Sequence, residues 1–239
     1  MTELNFTITK EVAKRLVHDI RNISINPLHK EGIYYKHDTE NMLKGYAMII
    51  GPEYGLYANG IYFFTFKFPT DYPFSPPIVE YWTNDGTTRF NPNLYRQGKV
   101  CLSILNTWDG EPWTSCQSIR SVLLNLLLLF NEQPLLNEPG VTKVHPDFVN
   151  YHKIIEYKNI DFSIYYQLTQ YKDKYFNLLF KNEIKEHITK NIDDIYNKCL
   201  SLEKIYPKQI LLKTNLYKMS TIIDYPTLCK NILLIKEIF

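Results

Sequence analysis

The sequence predicts an α+β fold: a four-stranded antiparallel meander flanked by an N-terminal helix and a central helix, followed by a helical C-terminal extension. Three observations carry this. Four short runs rich in Ile, Tyr, Phe and Val, at 33–35, 43–50, 61–68 and 77–82, are separated by turn signals close enough for hairpins. Apolar residues recur at helical spacing over 8–23 and 118–131. From Pro146 onward, helix-compatible sequence dominates.

Each element has a local reason. Over 8–23, Val12, Leu16, Ile20 and Ile23 form one face, and Lys10, Lys14, Arg15, His18 and Arg21 populate the other. Thr9 can cap this helix, Glu11 favours its first turn, and Asn26-Pro27 ends it. Gly51-Pro52 and Asn59-Gly60 bracket one strand connection. Asp71-Tyr72-Pro73-Phe74-Ser75-Pro76-Pro77 is too dense in proline for strand or helix, so it reads as a rigid loop. The leucines of 118–131 surround most of the helix circumference, as a helix packed centrally on a sheet requires. Asn137-Glu138-Pro139-Gly140 breaks the chain. Helices are predicted over 147–158, 162–180 and 182–203, the last with the stripe Ile184, Ile188, Ile192, Ile195 and Cys199. A final segment, 214–239, is predicted to break at Pro226.

At 239 residues the chain can form one large domain, or one domain with an appended part. A net charge of +2 with 22% charged residues is too balanced to point to nucleic acid or membrane. Cys101, Cys116, Cys199 and Cys229 form no C-x-x-C pair and no regular spacing, which argues against a disulfide framework or zinc site and fits a reducing compartment. No secretory signal opens the sequence, and the greasy run from Val122 to Phe130 is too short to span a bilayer. The expectation is an intracellular protein of the cytoplasm, with the nucleus as a second compartment.

The most informative stretch is 91–105. It sets Cys101 on a short apolar segment eight residues after Asn93, which lies in a turn bounded by Pro92 and Gly98. No histidine lies within forty residues of Cys101 on either side. A thiol without a local base suits a group carrier better than a protease nucleophile.

The joint order of these features resembles the ubiquitin-conjugating enzymes across residues 10–160. Gly51-Pro52 with Tyr57 and Gly60 looks like the family's second hairpin, and the run from Phe68 to Pro77 is similar to its proline loop almost residue for residue. The Asn93-to-Cys101 spacing and Trp113 complete the pattern. Arg89–Asn93, Cys101–Leu105, Thr107-Trp108 and Asn137–Gly140 are most similar to a long-tailed subgroup charged by the alternative ubiquitin-activating enzyme. The resemblance implies a UBC-like catalytic core over 7–168 and a helical extension over 169–239, packed on or beside the core.

The resemblance assigns Cys101 as the residue that accepts ubiquitin as a thioester. A thiolate attacks an existing thioester well and leaves well when an amine attacks later. That role needs a sulfur that a slender peptide terminus can reach. The plain alternative for Cys101 is a small buried hydrophobe. Asn93 matches the family's oxyanion asparagine, where an amide N–H is worth about 2.7–4 kcal/mol; otherwise it holds the loop's shape. Asn91 replaces the family's usual histidine. Glu138 falls where the family places an acid that orients the incoming lysine or accepts its proton; otherwise it is a solvated turn carboxylate. Lys14 and Arg15 match first-helix residues that meet the activating enzyme, and Phe74, Thr114 and Ser115 match the ligase-docking surface. The insertion 107–112 and the missing proline near 115 depart from the usual ligase surface.

Partners implied are ubiquitin, its activating enzyme, a ligase and protein substrates, with no bound cofactor or metal; ATP is consumed upstream. Other readings are conjugation of another modifier such as SUMO, a catalytically weak ubiquitin-binding relative, and a cysteine protease using His145 or His152 with Asp147. A scaffold role for the tail is compatible with any of them.

Overall fold

A computed structural model describes residues 8–169 and 174–238. Helix α1 spans Lys10–Ile25, with Thr9 Oγ1 accepting the Val12 amide at 3.3 Å. Strands β1 (Ile33–His37), β2 (Lys44–Ile50), β3 (Ile61–Lys67) and β4 (Ile78–Tyr81) form one sheet in the order β1-β2-β3-β4. β1 pairs antiparallel with β2 from Ile33↔Ile49 to His37↔Gly45, and β3 pairs antiparallel with β4. Nearly every residue of β2 and β3 is buried. Both faces of these strands are therefore covered, which is why their sequences run apolar instead of alternating. The proline segment after β3 is a loop.

The chain divides into two compact units that interleave in sequence: one built from residues up to Ile49, Phe63–Trp82 and Asn93–Leu129, the other from Ile50–Tyr62, Thr83–Pro92 and Phe130 onward. In the first, α1 lies against α2 (Ile119–Leu127), and Leu16, Phe64, Phe66, Val122, Leu123 and Leu126 are fully buried. Asp19, buried in this core, accepts the Tyr72 hydroxyl at 2.5 Å and the Arg15 Nε at 3.1 Å. A charge so placed needs such partners, because an unpaired buried carboxylate costs several kcal/mol.

The second unit holds helix α3 (Phe148–Lys158), a π-helical stretch over Asn159–Tyr166, the short helices α4 (Gln167–Thr169) and α5 (Lys174–Leu179), and the long α6 (Lys181–Ile205). The stripe Ile184, Ile188, Ile192, Ile195 and Cys199 is buried as its spacing predicts. The predicted helix over 162–180 crosses residues 170–173, which lie outside the described residues.

The extension is not purely helical. Ile210–Lys213 (β5) and Ser220–Ile223 (β6) pair antiparallel in a hairpin, before helix α7 (Tyr225–Ile238). Pro226 does not break the last segment; it sits in the first turn of α7, where its missing N–H would have had no helical partner. Helix α7 packs on α6 and on the π-helical stretch. All four cysteines are free, and the sulfurs of Cys199 and Cys229 approach to 2.9 Å.

Asn159 is fully buried and ties three segments of this unit. Its carboxamide accepts the Tyr62 hydroxyl at 2.5 Å and donates to the Ala58 carbonyl at 2.9 Å. A Cβ on Gly60 would lie 2.0 Å from the Asn159 Oδ1, so only glycine fits there. Asn159→Leu takes a hydrogen-bond partner from a buried hydroxyl and from a buried carbonyl, and should lower unfolding free energy by about 1–3 kcal/mol in denaturant titrations; a loss below about 0.5 kcal/mol would show that the amide carries no such weight.

Burial holds the imidazoles of His37, His152 and His187 below their ordinary 6.5. As pH drops through that ordinary value, the unfolded chain takes up protons that the fold still refuses. The stability these neutral rings contribute is therefore fully present above the unfolded value and declines as pH falls through it. Denaturant titrations at about pH 7.5 and 5.5 should give the lower stability at the acid end; equal or greater stability there would contradict these shifts.

Candidate active site

The loop before Cys101 is built on two close approaches. Gly98 sits at φ 90°, and a Cβ there would lie 3.0 Å from the Tyr81 carbonyl. The Tyr81 amide donates to the Gly98 carbonyl at 2.7 Å, which docks the loop on the end of β4. Leu94 and Val100 then form an antiparallel bridge, so Asn93 and Cys101 face each other across a narrow loop.

Their contact is reciprocal. The Cys101 amide donates to the Asn93 carbonyl at 2.9 Å, and the Asn93 Nδ2 donates to the Cys101 carbonyl at 2.7 Å. In this conformation the Asn93 amide therefore fixes the cysteine's backbone. Thr107, at the start of the insertion, grips the other side: its hydroxyl accepts the Leu102 amide at 3.0 Å and donates to the Val100 carbonyl at 2.9 Å. No signal in the sequence gives Thr107 this role.

Cys101 itself is only 2% exposed. The motif leads to the expectation of a sulfur within reach of a peptide terminus, and here it is covered. Exposure is a tertiary property that the local motif does not encode.

Asn91, where the family's histidine usually stands, is fully buried and hydrogen-bonds the Tyr57 side chain. The segment it belongs to is held at several points. The Tyr57 hydroxyl donates to the Phe90 carbonyl, the Tyr151 hydroxyl donates to the Arg89 carbonyl at 2.8 Å, and Arg89 Nη2 donates to the Pro92 carbonyl at 2.6 Å.

Glu138 belongs to the second unit and follows a 3₁₀ turn over Pro134–Asn137. It is half-buried, and its carboxylate accepts the hydroxyl of Tyr217 from the tip of the β5–β6 hairpin. Tyr217 adopts φ 62°, a left-handed conformation that costs a bulky residue about 1–2 kcal/mol. A hydrogen bond to a charged group contributes about 1.5–3 kcal/mol, enough to offset that cost.

The first-helix residues separate. Lys14 is exposed, whereas the Arg15 guanidinium donates to Asp19, to the Ser115 carbonyl at 2.7 Å and to the Gln117 carbonyl, and lies over the Tyr72 ring. Arg15 thereby joins α1 to the loop carrying Thr114 and Ser115. The Trp113 indole donates to the Pro73 carbonyl at 2.7 Å, which draws the proline loop to the same place. Phe74 is 79% exposed there, with Thr114 and Ser115 also exposed.

The histidines of the protease reading have other work. His145 Nδ1 accepts the Asp147 amide at 3.1 Å, His152 Nδ1 lies 2.6 Å from the Phe148 carbonyl, and the Asp147 carboxylate accepts the Leu216 amide at 2.7 Å. Among the described residues no group of three or more His, Cys, Asp or Glu could hold a metal ion, and no helix is long and apolar enough to cross a membrane.

This four-stranded sheet with its asparagine-to-cysteine loop defines a class. The family model for ubiquitin-conjugating enzyme matches residues 15–159, and the chain belongs to that family. Among similar proteins, human ubiquitin-conjugating enzyme E2 Z is 43% identical over 153 residues, covering 63% of this chain and 43% of that protein. The probable ubiquitin-conjugating enzyme protein 17 of Caenorhabditis elegans is 35% identical over 191 residues, covering 75% of this chain and 25% of that protein. Human dual E2 ubiquitin-conjugating enzyme/E3 ubiquitin-protein ligase BIRC6 is 41% identical over 136 residues, covering 54% of this chain and 3% of that protein. The chain thus spans less than half the length of these relatives.

Exposure separates the thiols. Cys116 is exposed, and Cys101, Cys199 and Cys229 are buried. Limiting iodoacetamide on the native protein should label Cys116 first by peptide mapping, with the other three labelled only after unfolding. Equal early labelling of Cys101 would contradict its covered position.

Proposed function

We propose that the protein is a ubiquitin-conjugating enzyme that carries ubiquitin on Cys101 and passes it to a substrate lysine or to a ligase. The observation that supports this best is the Asn93–Cys101 loop standing on the fold of that family. The Cys101 thiolate attacks the thioester between ubiquitin and the activating enzyme. A new C–S bond forms, and the activating enzyme's sulfur leaves as its thiolate. In the second step an amine attacks the same carbonyl carbon, a C–N bond forms, and Cys101 departs as thiolate.

Asn93 would stabilise the oxyanion in both steps once its amide turns from the Cys101 carbonyl. Glu138 would orient the incoming lysine and accept its proton. Lys14 is an exposed basic residue of α1 that would meet the activating enzyme. Phe74, Thr114 and Ser115 form the surface offered to a ligase, with Arg15 fixing the backbone beneath Ser115. No cofactor or metal enters this chemistry, since ATP is consumed by the activating enzyme. The core over 7–168 would carry the reaction and the extension over 169–239 would set partner choice.

Incubation with ubiquitin, ATP, magnesium and activating enzymes of each type should give an adduct that reducing thiol removes. Cys101→Ser should give a thiol-resistant oxyester and Cys101→Ala none. No adduct with any activating enzyme would favour the ubiquitin-binding relative without activity.

A further inference from the structure

Helices α6 and α7, both in the second unit, pack against each other, and contacts at three successive levels set their register. The Tyr206 ring, just past the end of α6, stacks on the Tyr225 ring at the start of α7, with centroids 5.8 Å apart. Toward the other end, Lys236 Nζ meets the Asp193 carboxylate at 2.5 Å. Between these levels the Cys229 thiol donates to the Cys199 sulfur at 2.9 Å. Going back along α6 from 206 to 199 to 193 goes forward along α7 from 225 to 229 to 236, so the helices run antiparallel in one register. Helix packing on either side of the two sulfurs therefore brings them together.

Their setting is closed and apolar. Cys199 is fully buried and Cys229 is 4% exposed, and their neighbours along the two helices, Ile195, Leu202, Leu228 and Ile232, are buried as well. Burial raises both thiols above their ordinary range; the contact between them raises Cys199 further and lowers Cys229, so Cys229 is the first to ionise. A lone cysteine in such a place is inert. A facing pair is different, because a disulfide holds its sulfurs about 2.05 Å apart and the gap here need close by less than about 1 Å. The conjugating chemistry uses neither sulfur.

We propose that Cys199 and Cys229 are a redox modification site, a dithiol that hydrogen peroxide converts to a disulfide stapling α6 to α7. The Cys229 thiolate attacks one peroxide oxygen: an S–O bond forms, the O–O bond breaks, and hydroxide leaves and takes up the thiol's proton as water. The Cys199 sulfur then attacks the sulfenic sulfur. The S–S bond forms, the S–O bond breaks, and the hydroxyl departs with the Cys199 proton as a second water. Two thiols thereby lose two electrons and two protons, and one peroxide becomes two waters. The facing thiol intercepts the sulfenic acid before a second peroxide carries it to sulfinic acid. The new bond joins residues 30 positions apart and encloses the β5–β6 hairpin in a covalent loop.

The test treats the reduced, folded chain with excess hydrogen peroxide, unfolds it in acid, alkylates it without reductant and digests it with trypsin. Peptides 199–204 and 219–230 should appear as one linked species, lighter by two hydrogens than their sum and separated by reductant. The thermal midpoint of the oxidised chain should stand about 5–10 °C above that of the reduced chain. Cys229→Ala should remove both the linked species and the rise. The exposed Cys116 reports that the oxidant has acted. Alkylation of both Cys199 and Cys229 at a dose that has consumed Cys116 would overturn the proposal. Sulfinic acid at either position in place of the linked species, or pairing of either with Cys101 or Cys116, would overturn it too. A linked species with an unchanged midpoint would refute the staple.

Discussion

The site depends on one reciprocal contact, in which Cys101 and Asn93 exchange backbone and side-chain hydrogen bonds across a loop. The Leu94–Val100 bridge brings the two residues opposite one another, and Gly98 lets the chain turn tightly enough to make that bridge. A residue with a side chain at 98 would meet the Tyr81 carbonyl and adopt an unfavourable φ. The cysteine's position is therefore set by backbone geometry, with Thr107 gripping the residues on either side. Catalytic steps that depend on placement gain most from such rigidity.

The covered sulfur gives this rigidity a second consequence. A cysteine at 2% exposure is shielded from adventitious oxidants and electrophiles. The surface around Phe74 and Ser115 is fastened to α1 by Arg15 and to the proline loop by Trp113, so contacts made there fall on a connected structure.

Much of this is legible in the sequence because the relevant signals are local. Proline density marks the loop at 71–77, helical spacing marks α1 and the α6 stripe, and the asparagine-to-cysteine interval marks the site. The β5–β6 hairpin is not legible: its strands have four residues each, and its turn places a tyrosine where glycine or asparagine would signal a left-handed residue. Tyr217 cannot be connected with Glu138 from sequence, since 79 residues separate them. Arg15 reads from its helix as an exposed charge, yet Asp19 and the carbonyls of Ser115 and Gln117 take its donors. Burial of Cys101 and the π-helical turn at Asn159 are likewise products of packing, with no periodic pattern to announce them.

That a single thiol carries the modifier is tested most directly by differential alkylation of the charged protein. After charging, the protein is unfolded at low pH without reductant, alkylated, and mapped by mass spectrometry. Cys101 alone should escape alkylation in the charged fraction and become alkylated after hydroxylamine treatment. Protection of Cys116 with Cys101 freely alkylated would contradict carriage by Cys101.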